Sequence, residues 1–217
     1  VGSEMCIRDR IHGIKLYNNE IYLLVEGDEG NTIFRFYPKN KKMEKIAEDI
    51  RKSCFSGDNL YYIEYGEVGI NKVNLKTLKG KIVRGQAWKD KLQYEDNIVL
   101  YKGIVENQGK VYYICWGEDG KVRLYEYRNH KKDKIQHGFS NNSYEFVYNS
   151  SMIVGYNTHW DTSEERYIQI YHLDSEQEQK IKMPNDDWYA LLVVDDLLFC
   201  GYPDDKDDFY HMIKIDN

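Results

Sequence analysis

Leu60-Tyr61-Tyr62-Ile63-Glu64-Tyr65, followed a few residues later by Gly69-Ile70-Asn71-Lys72-Val73-Asn74-Leu75, decides how this chain folds. In an extended strand successive side chains point to opposite faces, so a strand with one wet face alternates apolar and polar residues. The first stretch does not alternate. Leu60 and Tyr62 lie on one face, and Tyr61, Ile63 and Tyr65 on the other. A strand that is apolar on both sides must be covered on both sides. The intervening Gly66-Glu67-Val68-Gly69 is short and glycine-bearing, the composition of a tight reversal, which makes the two stretches antiparallel neighbours.

The pair recurs along the chain. First blocks read Ile21-Tyr22-Leu23-Leu24-Val25, Leu60-Tyr61-Tyr62-Ile63, Val111-Tyr112-Tyr113-Ile114, Met152-Ile153-Val154 and Leu197-Leu198-Phe199. Second blocks read Ile33-Phe34-Arg35-Phe36, Ile70-Asn71-Lys72-Val73, Leu124-Tyr125-Glu126-Tyr127, Ile170-Tyr171-His172-Leu173 and Met212-Ile213-Lys214-Ile215. The second residues of the first blocks, at 22, 61, 112, 153 and 198, are 39, 51, 41 and 45 residues apart. Short strands repeating at about 40–45 residues are the signature of propeller blades. The predicted fold is all-β: a β-propeller fragment of about five blades of antiparallel strands, the last incomplete, because the chain stops just after a second block. Between the second and third units Asn97-Ile98-Val99-Leu100-Tyr101 sits in an excess of residues, as a longer outer hairpin or a drifted register. One stretch, 41–52, resembles a helix through Ile46, Ala47 and Ile50. It lacks an N-cap, and the same residues fit two strand ends around Asp49.

Residues 1–10 do not share the Tyr, Lys, Asn and Ile character of the remainder. They resemble a translated sequencing-adapter peptide and are set apart as non-native, leaving a partial propeller over 11–217. The 20 tyrosines suit blade packing, with rings inside and hydroxyls reaching the wet ends. A net charge of −6 disfavours nucleic-acid binding, which needs clustered Lys and Arg. No apolar run is long enough for a membrane span. Cys54, Cys115 and Cys200 show no metal spacing and read as small buried apolar residues, with no disulfide framework expected.

No motif for catalysis, a metal or a cofactor emerges. The histidines lack zinc-pair spacing, and no Gly-x-Ser-x-Gly elbow is present. His172 and His211 fall in second-type strands as structural or rim residues. Asp204-Asp205-Lys206-Asp207-Asp208 lacks the glycine and terminal glutamate of a calcium loop and reads as a solvated loop guarding a sheet edge. Loops that outgrow their siblings lie on one rim of a repeat fold and carry its function. The candidate ligand-binding residues are therefore Asn157, His159, Trp160 and Asp161, in the longest connection between a first and a second block. An indole beside amide, imidazole and carboxylate suits sugar or peptide contact; alternatively Trp160 folds back to cap its own loop.

Leu60–Tyr65 with Gly69–Leu75, and likewise the segments 21–26 and 32–37, resemble YWTD-type blades, in which an aromatic strand leads to a strand of the form Ile-x-Lys/Arg-x-x-Leu. The Thr-Asp pair of that motif is absent, with Glu64 or Glu26 nearby. The chain is thus similar to bacterial proteins, mostly of Firmicutes, that carry a propeller like that of low-density-lipoprotein-receptor-related proteins. The resemblance implies an extracytoplasmic, secreted or lipid-anchored propeller without known catalysis. The resulting expectation is a non-catalytic envelope-associated binding module for a protein, peptide or glycan. The rival is a hydrolase or lyase with its active site in a central channel. The polar residues at strand starts, Asn18, Asn19, Glu20, Asp58, Asn59, Asn149, Ser150, Asp195 and Asp196, read first as turn formers.

Overall fold

In the computed structural model the described residues are 10–27, 30–64, 69–85, 98–117, 119–129, 133–139, 145–156, 167–182, 189–201 and 211–215. They are organised as blades, each an antiparallel meander. The first comprises β1 (Arg10–Tyr17), β2 (Glu20–Gly27), β3 (Gly30–Tyr37) and the first half of β4 (Lys42–Ser56). The second uses the other half of β4 with β5 (Asn59–Glu64), β6 (Gly69–Asn74) and β7 (Gly80–Gly85). The third is β8 (Ile98–Asn107), β9 (Lys110–Gly117), β10 (Val122–Glu126) and β11 (Lys134–Gly138). The fourth is β12 (Glu145–Tyr148), β13 (Met152–Tyr156), β14 (Tyr167–His172) and β15 (Gln177–Lys182). The fifth has three strands among the described residues: β16 (Tyr189–Val194), β17 (Leu197–Gly201) and β18 (His211–Lys214).

The chain forms two compact units, Val1–Gln93 and Tyr94–Asn217. In the first, β1 to β7 are hydrogen-bonded in sequence as one seven-stranded sheet because β4 serves two blades. Its residues up to Ile50 pair with β3, and those from Ile50 onward pair with β5. The change of partner falls at Asp49, which adopts a positive φ of 57°. The stretch is therefore strand from Lys42 through Lys52, after a turn at Lys41, and the short aspartate carries the bend.

The first and second blocks are the second and third strands of every blade and pair antiparallel as the sequence requires. Residues Ile98–Asn107 are neither an outer hairpin nor a stray register. They form the third blade's own first strand, with two register shifts, and the excess residues lie at 86–97, outside the described residues. The repeat markers also shift. Each first turn closes between the pairs Tyr17↔Glu20, Ser56↔Asn59, Asn107↔Lys110 and Val194↔Leu197, with Asn149 bonded to Met152 in the fourth blade. Counted from those pairs, the partners of Tyr22, Tyr61 and Tyr112 are Val154 and Phe199, not Ile153 and Leu198. The apolar blocks of the last two blades begin one position early because Met152 and Leu197 stand where the others have Glu20, Asn59 and Lys110. A one-residue offset reverses the face on which a side chain lies.

Coverage on both faces is complete in β13, where all five residues are buried. Ile153, with Tyr171 and Leu173, packs against Val105, Tyr112, Ile114 and Leu124 of the third blade. Met152, Val154, Ile168 and Ile170 pack on Val193, Leu198, Cys200 and Ile215 of the fifth. In the first unit Tyr22, Leu24 and Ile33 meet Phe55, Leu60, Val73 and Leu75. The tyrosines behave as the composition implies: Tyr113 stacks on Tyr125 at 5.2 Å, and its buried hydroxyl donates to Asp133 at 2.7 Å. Cys54, Cys115 and Cys200 are buried thiols, and burial pushes that of Cys200 up to about 11.

Candidate functional site: the two ends of the blades

A four-stranded meander has two ends, and in this chain they differ. One end carries the turns between first and second strands and between third and fourth. The turns between first and second strands are tight, and several need a left-handed backbone: Asn18 and Asn19 at φ 50° and 61°, Gln108 and Gly109 at 49° and 80°, and Asp195 at 52°. Asparagine and glycine adopt this region at least cost. The other end carries the connections from second to third strand and from each fourth strand to the next blade.

The tight end is stitched from blade to blade by asparagine side chains. Asn18 donates Nδ2–H to the Gly57 carbonyl at 3.2 Å, across 39 residues. Asn107 donates to the Ser150 carbonyl at 2.7 Å, across 43, and to Asp174 Oδ1 at 3.0 Å. Asn149 donates to the Asp195 carbonyl at 3.0 Å, across 46. Each spans one blade period, from one blade's first turn to that of the next. Asn149 also accepts from the Ser151 and Met152 amides through Oδ1, closing its own turn. The turn role predicted for Asn18 and Asn149 is thus present, with a second role between blades. Asn107 was not singled out in the sequence; the one-blade spacing of Asn107 and Asn149 was the available signal. In the first unit Arg35 adds a deeper tie. It donates to the Leu75 carbonyl and lies 3.4 Å from Glu20 and 5.8 Å above the Tyr22 ring.

The opposite end holds the two longest connections within a blade, from Tyr156 to Tyr167 and from Gly201 to His211. The fourth blade leaves it after Tyr156, which is buried against the fifth blade and pairs with Glu145, and returns at Tyr167, opposite Lys182. Asn157, His159, Trp160 and Asp161 belong to this connection and lie outside the described residues, as does the acidic stretch 204–208. The described chemistry at this end is a carboxylate pair at the β4 bend. Glu64 closes β5 opposite Ile50, and its carboxyl is raised above the usual range, first by burial and then by the neighbouring charge of Asp49. Tyr62 is raised by burial and then by Glu64, Glu48 and Asp49. The Glu64 carboxyl therefore holds its proton to higher pH than an ordinary carboxylate. Among the described residues no group of three or more His, Cys, Asp or Glu is placed to hold a metal. His172 and His211 lie in β14 and β18, as their blocks require.

No family model and no curated protein matches this chain. Solved structures do. An oligogalacturonate lyase in complex with manganese is similar over 90% of this chain and 59% of its own length, at 14% identity and TM-score 0.59. A chain of a nidogen–laminin complex is similar over 89% and 72%, at 11% identity and TM-score 0.55. TolB from Acinetobacter baumannii is similar over 89% and 51%, at 13% identity and TM-score 0.53. The fold of this chain is that of a β-propeller, and the chain spans about three-fifths of the lyase. At these identities the likeness concerns fold and leaves function to the site itself. No helix among the described residues is long and apolar enough to cross a membrane.

Proposed function

We propose that this chain is a non-catalytic binding module. It holds a protein, peptide or glycan at the blade ends that carry the long connections, with Asn157, His159, Trp160 and Asp161 as its contact residues. The supporting observation is the asymmetry of the blade ends. One end is held by the tight first turns and the asparagine stitches. The other carries the two longest connections within a blade, 157–166 and 202–210, and long connections are where a repeat scaffold places recognition. A tryptophan offers a flat face to a sugar ring or a peptide side chain, and the flanking amide, imidazole and carboxylate fix its orientation. The resemblance to bacterial YWTD-type propellers supports a place at the cell envelope, on the extracytoplasmic side. The test is a binding survey of the chain against a glycan array, peptidoglycan fragments and a peptide library, with Trp160→Ala alongside. The expected result is a hit in one class that falls at least about tenfold in the variant while circular dichroism is unchanged. Silence in all three classes would sink the module, and binding indifferent to Trp160→Ala would remove the patch.

A further inference from the structure

Two sheet faces carry apolar rows open to solvent. In the fifth blade Leu192, Phe199 and Met212 form one cross-strand row over β16, β17 and β18, and Val194 and Leu197 begin the next. Leu192 is 53% exposed, Val194 43% and Met212 62%. Behind them, on the other face of the same sheet, Val193 and Leu198 are sealed against the fourth blade. In the first blade the face turned away from the second carries the row Leu16, Ile21, Phe36, Met43, and Ile14 begins the next, whose Leu23 is buried. Ile14 is 72% exposed and Leu16 70%.

These faces have counterparts inside the chain. Three junctions, one in the first unit and two in the second, join a forward face, the one bearing Tyr22, Tyr112 or Val154, to the backward face of the following blade, bearing Leu60, Ile153 or Leu198. Phe199 occupies the forward position in the fifth blade, and Ile21 and Phe36 occupy in the first blade the backward positions that Leu60 and Val73 hold in the second. At the internal junctions these positions are buried. Exposed apolar faces of this kind mark interaction surfaces. Two lysines on the rows of these faces have a carboxylate of their own blade beside them, Lys45 with Glu48 at 2.6 Å and Lys214 with Asp196 at 4.0 Å, which limits the repulsion between those two when the faces meet.

We propose that the two faces recognise each other between copies of this chain, the fifth blade of one copy seating on the first blade of the next as consecutive blades do within a chain. The matching surfaces differ, so the contact is heterologous, and association runs on into a ring or a chain of copies instead of stopping at a symmetric pair. Leu16→Lys and Met212→Lys each place a charge on one exposed face, where neither disturbs a core. Sedimentation velocity of the wild-type chain across the micromolar range is expected to show species growing with concentration, and each variant alone is expected to stay monomeric. Mixed one to one, the variants each retain the face the other lacks, so they are expected to form a pair and nothing larger. That recovery also shows both variants to be folded. A monomeric wild type would overturn the proposal and leave the faces to a blade of another polypeptide. Association persisting in either single variant, or failure of the mixture to pair, would overturn it as well.

Discussion

His137 is the residue whose protonation the fold opposes most directly. It lies on β11 between the blades of the second unit, stacked on Tyr171 at 4.5 Å and edge-on to Phe139 at 4.8 Å. Its buried Nε2 has no hydrogen-bond partner, since Glu178 stands 4.0 Å away. Burial lowers its pKa from 6.5; Glu178 opposes the shift and Lys180 adds to it. The unfolded chain therefore binds the proton first, so the contribution is fully present above pH 6.5 and is lost as pH falls from there toward the folded value. The urea midpoint of the wild type should drop over that window more than that of His137→Phe, which keeps the ring contacts and cannot titrate; parallel curves would refute the assignment. Arg35 supplies a second test. Its loss strands the buried Leu75 carbonyl and part of the Glu20 charge, a cost of about 2 kcal/mol. Lysine should not restore it, because one ammonium cannot reach both the carbonyl and the carboxylate while lying over Tyr22. Denaturation midpoints of Arg35→Met and Arg35→Lys within error of wild type would contradict this. Neither role was legible in the sequence. His137 was one of six scattered histidines and Arg35 one residue of a second block, because partners such as Tyr171 and Leu75 lie 34 and 40 residues away, in the next blade.

At the scale of the strand, legibility followed burial. β2, β5 and β9 announced themselves because they are apolar on both faces. Their neighbours β1 and β12 did not: β1 exposes Ile11, Ile14 and Leu16 among polar residues, and β12 is only Glu145 to Tyr148, with Glu145 exposed. β8 was visible but misplaced, since its two bulges break the period on which a strand assignment depends. Gly103 marks one of them. A Cβ there would stand 3.0 Å from Tyr148 of β12 and 3.1 Å from Ile114 of β9. Gly103→Ala should cost about 1–3 kcal/mol by overpacking, and Tyr148→Ala in the same chain should recover part of it; additive losses in a double-mutant cycle would show that the close approach is not the cause. The asparagine stitch can be isolated in the same way. Asn149→Asp keeps the carbonyl-like acceptor that closes the turn and removes only the donor to Asp195, so it should cost about 1 kcal/mol, and Asn149→Ala more. An Asn149→Asp midpoint within error of wild type would mean that the bond between blades contributes nothing.

For the whole molecule the repeat was the strongest signal in the sequence, because every blade solves the same burial problem with the same strand pair. The proposed contact residues left no such trace: the connections are under no periodic constraint, so Asn157, His159, Trp160 and Asp161 rest on loop length and chemistry alone. Serial stacking has an energetic consequence. Stability in such an array is a sum over blades and their nearest-neighbour junctions, so damage to one junction stays near it. Three buried thiols report on this separately, Cys54 in the second blade, Cys115 in the third and Cys200 in the fifth. Ile170 is fully buried in the cluster that contains Cys200. Ile170→Ala removes about 3 kcal/mol from the junction of the fourth and fifth blades. If labelling proceeds through opening of that junction, Cys200 should react about a hundredfold faster than in the wild type, while Cys54, in the other compact unit, keeps its rate. Peptide-resolved thiol labelling reads all three sites in one experiment. Equal acceleration at Cys54, Cys115 and Cys200 would mean that the blades open together as one cooperative body, and the nearest-neighbour account of this propeller would fail.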